Sequence, residues 1–142
     1  MDKETLVKGL NTDLSHEYQA VLMYNTYAAD VSGMHRQELK NFFDAEVPDE
    51  LRHSQLLANK IAALDGKPTT EPADVPGTRN PKEMLKNVLK AESDTIKRYV
   101  ERRNQAEEYG DYGLVNDLED IISDETNHKE ETQKLLKSHL SN

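Results

Sequence analysis

The sequence predicts an all-α protein, a four-helix bundle built from two antiparallel hairpins with a long crossover between them. Three observations lead there. Apolar residues recur at three- and four-residue spacing through four segments of roughly 28 residues each. Only one long stretch, residues 66–80, reads as non-helical, with three prolines and two glycines. The 142 residues suffice for one buried core but not two, and a 32% charged fraction with only six glycines suits helices with solvated outer faces. A single domain over 1–142 is therefore expected.

The first helix is capped by Asp2 and runs to about Val31, with Leu6, Leu10, Leu14, Val21, Tyr24 and Ala28 along one face. Ser32-Gly33-Met34 reads as a turn. A second helix spans about His35 to Leu64, and Asp65-Gly66-Lys67-Pro68 should stop it with glycine, then proline. Pro48 interrupts this helix, either as a tolerated bend or as a feature shaping a site beside Glu50. Asn80-Pro81-Lys82-Glu83 is a strong helix start, with an Asn cap and Pro at the first position. That third helix reaches about Tyr109, ends at Gly110, and is followed by a fourth from Asp111 or Tyr112 to about Leu140.

Bulk composition excludes several functions. The absence of cysteine removes disulfides, cysteine zinc sites and thiol catalysis. A net charge of −9 argues against a nucleic-acid or anionic-membrane binder. Residues 1–30 carry no basic-then-apolar leader pattern, and nowhere do 18 apolar residues run together. The expectation is a cytoplasmic protein with neither a nucleic-acid nor a membrane partner.

The chemistry lies in a repeat. Glu50 and His53 sit three apart on the face that carries Phe43, Val47, Leu57, Ile61 and Leu64. A second Glu-x-x-His occurs at Glu125 and His128. Glu17 precedes Glu50 by 33 residues, and Glu92 precedes Glu125 by the same 33. Around Glu17 the core face reads Leu10, Leu14, Val21, Tyr24; around Glu92 it reads Leu85, Leu89, Ile96, Tyr99 at identical offsets. The midpoint of each 33-residue span falls at or beside a turn, so each first-helix Glu should face its Glu-x-x-His across one hairpin. Packing the hairpins together would gather four carboxylates and two imidazoles at one level of one core.

Four buried carboxylates without counter-charge would cost many kcal/mol or take up protons. Two divalent ions balance four carboxylates, with one histidine nitrogen on each. Carboxylate-plus-imidazole ligation suits iron, or manganese, better than structural zinc. The predicted metal ligands are Glu17, Glu50, His53, Glu92, Glu125 and His128, the di-iron pattern of ferritin-like bundles. The remaining histidines, His16, His35 and His139, are expected at the surface or at helix ends. The competing reading, an interaction bundle with solvated Glu and His, is disfavoured by the twofold repetition.

On these residues the chain resembles the ferritin-like superfamily, and within it bacterioferritin, from about Leu6 to Leu136. The resemblance implies two iron ions per chain, with mixed iron and manganese the alternative, and oxidation of Fe(II) to Fe(III) by O2 or H2O2. Tyr24 matches a tyrosine that bacterioferritins place beside the metal pair. With Tyr99 as its counterpart it would orient ligands or donate an electron; core packing is the alternative for both, and is preferred for Tyr99 only. Glu46 and Asp49 match residues that bind or relay iron, an accessory site, although Ala45 replaces a histidine common there. Leu51 stands where the family's haem-ligand methionine would be, so no haem is expected. The resemblance implies a homo-oligomer, a dimer or larger shell; the chain ends at Asn142 without the short fifth helix that lines pores in the 24-subunit cage, which argues against a closed storage shell and for a smaller assembly or a dimer. A rubrerythrin-like oxidase or peroxidase is the alternative, though Thr95 replaces a rubrerythrin glutamate and no cysteines remain for a rubredoxin domain. A Dps-type mini-ferritin fits less well, because residues 1–8 form no basic arm and the ligands fall within one bundle.

Overall fold

The computed structural model describes residues 1–138, and four α-helices account for most of them: α1 (Lys3–Asp30), α2 (Arg36–Ala63), α3 (Pro81–Tyr109) and α4 (Tyr112–Ser138). The predicted ends hold to within a residue or two. The expected end of α4 near Leu140, and His139, lie outside the described residues. Asp2 accepts a hydrogen bond from the Thr5 N–H at 2.7 Å, and Asn80 accepts from Glu83 N–H at 3.0 Å, which satisfies one orphan amide at each helix start. Gly110 ends α3 at φ +96°, a left-handed conformation that costs glycine least.

One stop signal differs from the expectation. The left-handed residue after α2 is Asp65, at φ 62°, rather than Gly66. Gly66 instead donates its N–H to the Ile61 carbonyl at 2.9 Å and packs against the Val7 and Ile61 side chains. Helix α2 runs unbroken through Pro48, whose ring lies on the exposed face, so the lost backbone bond is open to water.

The hairpins α1–α2 and α3–α4 pack internally and meet each other chiefly through α1 and α3. The connection over residues 66–80 follows α1 for much of its length. Asn11 exchanges hydrogen bonds with Lys67 and Thr69, Ala73 N–H donates to Ser15 O, and Tyr27 donates its hydroxyl to Pro76 O. This is the crossover that carries the chain from one end of the bundle to the other. No helix among the described residues is long and apolar enough to cross a membrane.

The core divides into two apolar clusters. One gathers Leu6, Leu10, Leu14, Leu57, Ile61, Leu114 and Leu118; the other gathers Met23, Tyr24, Tyr27, Leu39, Phe43, Met84 and Val88. The level between them is polar. Beside the first cluster, one turn before Glu17, buried Asp13 pairs with Arg102 at 2.8 Å, and burial lifts Asp13 to about 6 despite the guanidinium. Arg102 lies flat against Gly9, where any Cβ would overlap its guanidinium. Alanine favours a helix over glycine by about 1 kcal/mol. Gly9→Ala is nevertheless expected to lower stability by about 2 kcal/mol, because dislodging Arg102 weakens a buried pair and overpacks the seam. Denaturant unfolding checks this; an unchanged or raised midpoint would show that Arg102 relocates freely.

Candidate metal centre

All six predicted ligand residues converge at the polar level, one or two from each helix. Glu17 comes from α1, Glu50 and His53 from α2, Glu92 from α3, and Glu125 and His128 from α4. The four glutamates and His53 are buried, and His128 is 13% exposed. Two groups of potential ligand atoms each fit within 4.8 Å: Glu17, Glu50, His53 and Glu125, and then Glu92, Glu125 and His128. Glu125 belongs to both. Its Oε1 lies 3.4 Å from His53 Nδ1 and 3.9 Å from His128 Nδ1. Glu50 likewise spans the pair, with Oε2 3.7 Å from His53 Nδ1 and Oε1 3.6 Å from His128 Nδ1. The two Glu-x-x-His glutamates thus lie between the two imidazoles, while Glu17 and Glu92 flank them.

The ligand-facing atoms lack hydrogen-bond partners. Glu17 Oε2, Glu46 Oε2, Glu50 Oε1, His53 Nδ1, Glu92 Oε1, Glu125 Oε1 and His128 Nδ1 are all buried and unsatisfied. Buried polar atoms are normally paired, so seven orphans facing one another need a common partner. Glu46 Oε2 does approach His128 Nδ1 to 2.7 Å, but the pair is not aligned as a hydrogen bond. Hard carboxylate oxygens and neutral imidazole nitrogens suit a pair of divalent ions such as iron or manganese.

Charge crowding has the expected effect on the metal-free site. Burial, then the Glu17 and Glu125 charges, push Glu50 well above the carboxylate range. Burial lifts Glu92 to about 8. Glu17 is held low instead, since burial is outweighed by the neighbouring Glu50 carboxyl and the His53 imidazole. For the imidazoles burial opposes the charge, yet the carboxylates prevail: Glu125 and Glu17 raise His53 to about 10, and Glu46 raises His128 to about 9. Without metal, protons supply the missing positive charge.

Surrounding side chains hold the ligands. Tyr24 on α1 donates to Glu92 Oε2 at 3.0 Å, and Tyr99 on α3 donates to Glu17 Oε1 at 2.5 Å. Each hydroxyl reaches across to the other hairpin. Burial and the adjacent carboxylates push both phenols well above 10, which keeps them neutral donors. Tyr99 is packed in the first apolar cluster with its hydroxyl satisfied, and that hydroxyl mirrors the one of Tyr24. On the far side of each imidazole, Nε2 meets an aspartate, His53 with Asp124 at 3.3 Å and His128 with Asp49 at 3.4 Å. Such carboxylates orient a ligating ring and leave the other nitrogen for the metal.

Asp124 and the Asp13–Arg102 pair are the parts that sequence reasoning missed. Asp124 was available from the repeat, since 49 + 75 = 124 just as 50 + 75 = 125. Asp13 and Arg102 have no such echo, because Val88 and Tyr27 stand at the corresponding positions. Glu46, Asp49 and His128 form a third group of potential ligands, toward the α2–α4 surface, so the two accessory residues do lie beside the cluster. Glu46 too is unmatched, Ile121 standing in its place. Of the remaining histidines, His16 turns its Nδ1 to Thr12 O at 2.9 Å and His35 precedes α2 with Nδ1 2.6 Å from Glu38, both away from the centre.

Comparison with known proteins agrees with this geometry. A family model described as ferritin-like domain matches residues 7–139. The bacterioferritin of Rhodobacter capsulatus is 28% identical over 138 residues, covering 95% of this chain and 86% of that protein. Among solved structures, a ferritin-like di-iron carboxylate protein from Bacillus anthracis superposes with a TM-score of 0.93 at 48% identity, covering 96% of this chain and 99% of the other. A bacterioferritin-related protein from Bacteroides fragilis, described as a dodecameric thioferritin, gives 0.87 at 27% identity, covering 96% and 87%.

Proposed function

Because the chain belongs to the ferritin-like domain family, we propose that it is a single-domain ferroxidase, binding two iron ions in the bundle core and oxidising Fe(II) to Fe(III) with O2 or H2O2. The observation that carries this reading is the set of six unpartnered atoms, one from each candidate ligand, facing one another between two apolar clusters. Bound iron supplies the redox chemistry, each Fe(II) giving one electron to the oxidant. The protein supplies placement. Glu125, and Glu50 beside it, would serve both ions, with Glu17 and His53 holding one and Glu92 and His128 the other. Asp124 and Asp49 fix the imidazoles with Nδ1 inward, and Tyr99 and Tyr24 hold the outer oxygens of Glu17 and Glu92. Tyr24 touches a ligand oxygen directly, which suits it to donate an electron or a proton during oxidation.

Carboxylates favour Fe(III) over Fe(II), being hard anionic ligands, so a site this rich in them drives oxidation forward. Glu46 and Asp49, at the outer edge of the His128 position, are suited to pass iron between the centre and solvent. We read the protein as self-associating, since Leu22 and Leu51 expose 44% and 46% of their surface beside Tyr18, Val21 and Pro72.

Anaerobic Fe(II) titration of the metal-free protein, followed by air, tests the proposal. Saturation at two ions per chain, then a fast rise in near-ultraviolet ferric absorbance, is expected. Absence of stoichiometric binding would overturn it. Iron uptake far beyond two, on a large particle by light scattering, identifies storage; fast peroxide turnover with an external reductant and no iron core identifies the rubrerythrin-like alternative.

A further inference from the structure

The two aspartates behind the imidazoles share one cation. Arg52, on α2, places Nη1 3.0 Å from Asp49 Oδ1 and Nη2 3.5 Å from Asp124 Oδ2. The other carboxylate oxygen of Asp49 faces His128 Nε2, and the same Asp124 Oδ2 faces His53 Nε2. A continuous strap, His128–Asp49–Arg52–Asp124–His53, therefore crosses from α2 to α4 over the centre. It joins α2 to α4, which pack less closely than α1 and α3 do. Beneath it His53 is 3% and His128 13% exposed, while Arg52 itself is 60% exposed.

The repeat shows that the arginine is an addition rather than part of the ligand frame. Asp49 and Asp124 correspond across the 75-residue offset, as do His53 and His128, but the counterpart of Arg52 is Asn127. One guanidinium, supplied by one hairpin, serves both aspartates.

We propose that Arg52 is a latch on the α2–α4 opening: paired with Asp49 and Asp124 it shuts cations out, and when it swings away those two carboxylates receive a divalent ion and deliver it to the cluster beneath. The inference rests on the metal-binding reading above. A planar fork fits two carboxylates at once, which is how arginine differs from a lysine point charge. Exposed ion pairs are weak, so the strap opens readily. While shut, it sets a positive charge in the path of an incoming cation and engages the carboxylates that would otherwise attract it.

Stopped-flow binding of Co(II) to the metal-free protein, read by its visible absorbance, tests this without any redox step. Arg52→Gln is expected to raise the association rate about 5- to 10-fold at low ionic strength, with two ions still bound. The difference should largely vanish at about 0.5 M salt, where surface charges are screened. Arg103→Gln makes the same charge change where Arg103 pairs with Glu107 and Glu119, 11 residues beyond Glu92 and thus about 16 Å along α3. It should leave the rate as in the parent protein. An unchanged or slower rate in Arg52→Gln, or an equal rise in Arg103→Gln, would overturn the latch while leaving the metal site standing. Failure of the parent protein to bind Co(II) stoichiometrically would overturn the metal reading and the latch with it.

Discussion

Glu125→Gln is expected to abolish stoichiometric loading of both metal positions while leaving the bundle folded. Glu125 is the residue common to both ligand groups, and its Oε1 lies within 3.9 Å of Nδ1 on each histidine. An amide keeps the shape but removes the charge that both ions would share. Substitutions that only disturb the support of a metal ligand cost about 10- to 100-fold in affinity. Loss of a shared ligand should therefore exceed about 100-fold, or about 3 kcal/mol, for the weaker-bound ion. Stability of the metal-free protein should change far less, because losing the Glu125 charge relieves Glu50 while taking a partner from His53, and the variant should still unfold cooperatively. Isothermal titration with Fe(II) under argon, paired with calorimetric melting of the metal-free form, reads both quantities. A variant that binds two irons as tightly as the parent would remove Glu125 from the centre.

Metal loading itself carries the second large effect, and it depends on pH. Two ions, each at a hundred times its dissociation constant, stabilise the folded state by about 5 kcal/mol through mass action. For a chain of this length that corresponds to a rise in melting temperature of roughly 10 to 20 °C. The metal-free protein should behave differently as pH changes. Glu92 rises to about 8 on folding, and Asp13 to about 6, so the folded state holds protons that the unfolded chain has already released above its ordinary carboxylate range. His53 at about 10 and His128 at about 9 likewise stay protonated when folded after the unfolded chain has lost those protons near 6.5. In every one of these cases the folded state binds more protons, so stability falls as pH rises. Glu17 acts oppositely, since its lowered value adds stability as pH climbs through the acid range. Metal-free stability should therefore peak near pH 5 and drop by at least about 2 kcal/mol toward pH 8.5. Ligand atoms must shed those same protons to bind metal, so the gap between loaded and metal-free melting temperatures should widen over that interval. Melting curves with and without Mn(II), a redox-stable probe, at pH 5.5 and 8.5 decide the matter. A metal-free protein whose stability rises with pH would mean that the carboxylates are already balanced by something other than protons.

Much of this centre was legible in the primary structure because helices convert spacing into direction. A three-residue interval places Glu50 with His53, and Glu125 with His128, on one face. The equal 33-residue spans set Glu17 and Glu92 opposite them. Where the repeat holds, reading is reliable, and Asp124 could have been found by adding 75 to Asp49. Asymmetric features are a different matter. Asp13 and Arg102 are 89 residues apart and have no counterparts, so nothing local announces a buried pair whose guanidinium fills the space left by Gly9. The partner of the Tyr99 hydroxyl is hidden for a related reason: a tyrosine on an apolar stripe looks the same whether its hydroxyl meets water or, as here, Glu17 on the neighbouring hairpin.

By itself, then, the sequence determined four amphipathic helices, their caps, the crossover and the heights at which four carboxylates and two histidines stand. Those follow from backbone periodicity, chain length and turn chemistry, all local quantities. Only the tertiary structure decided that Glu50 and Glu125 lie between both imidazoles, that each tyrosine reaches across to the other hairpin, and that Arg52 ties two aspartates over the opening. These depend on the rotation and separation of packed helices. An error of an ångström or two in either is invisible in residue spacing, yet it decides whether two ligand atoms can share one ion.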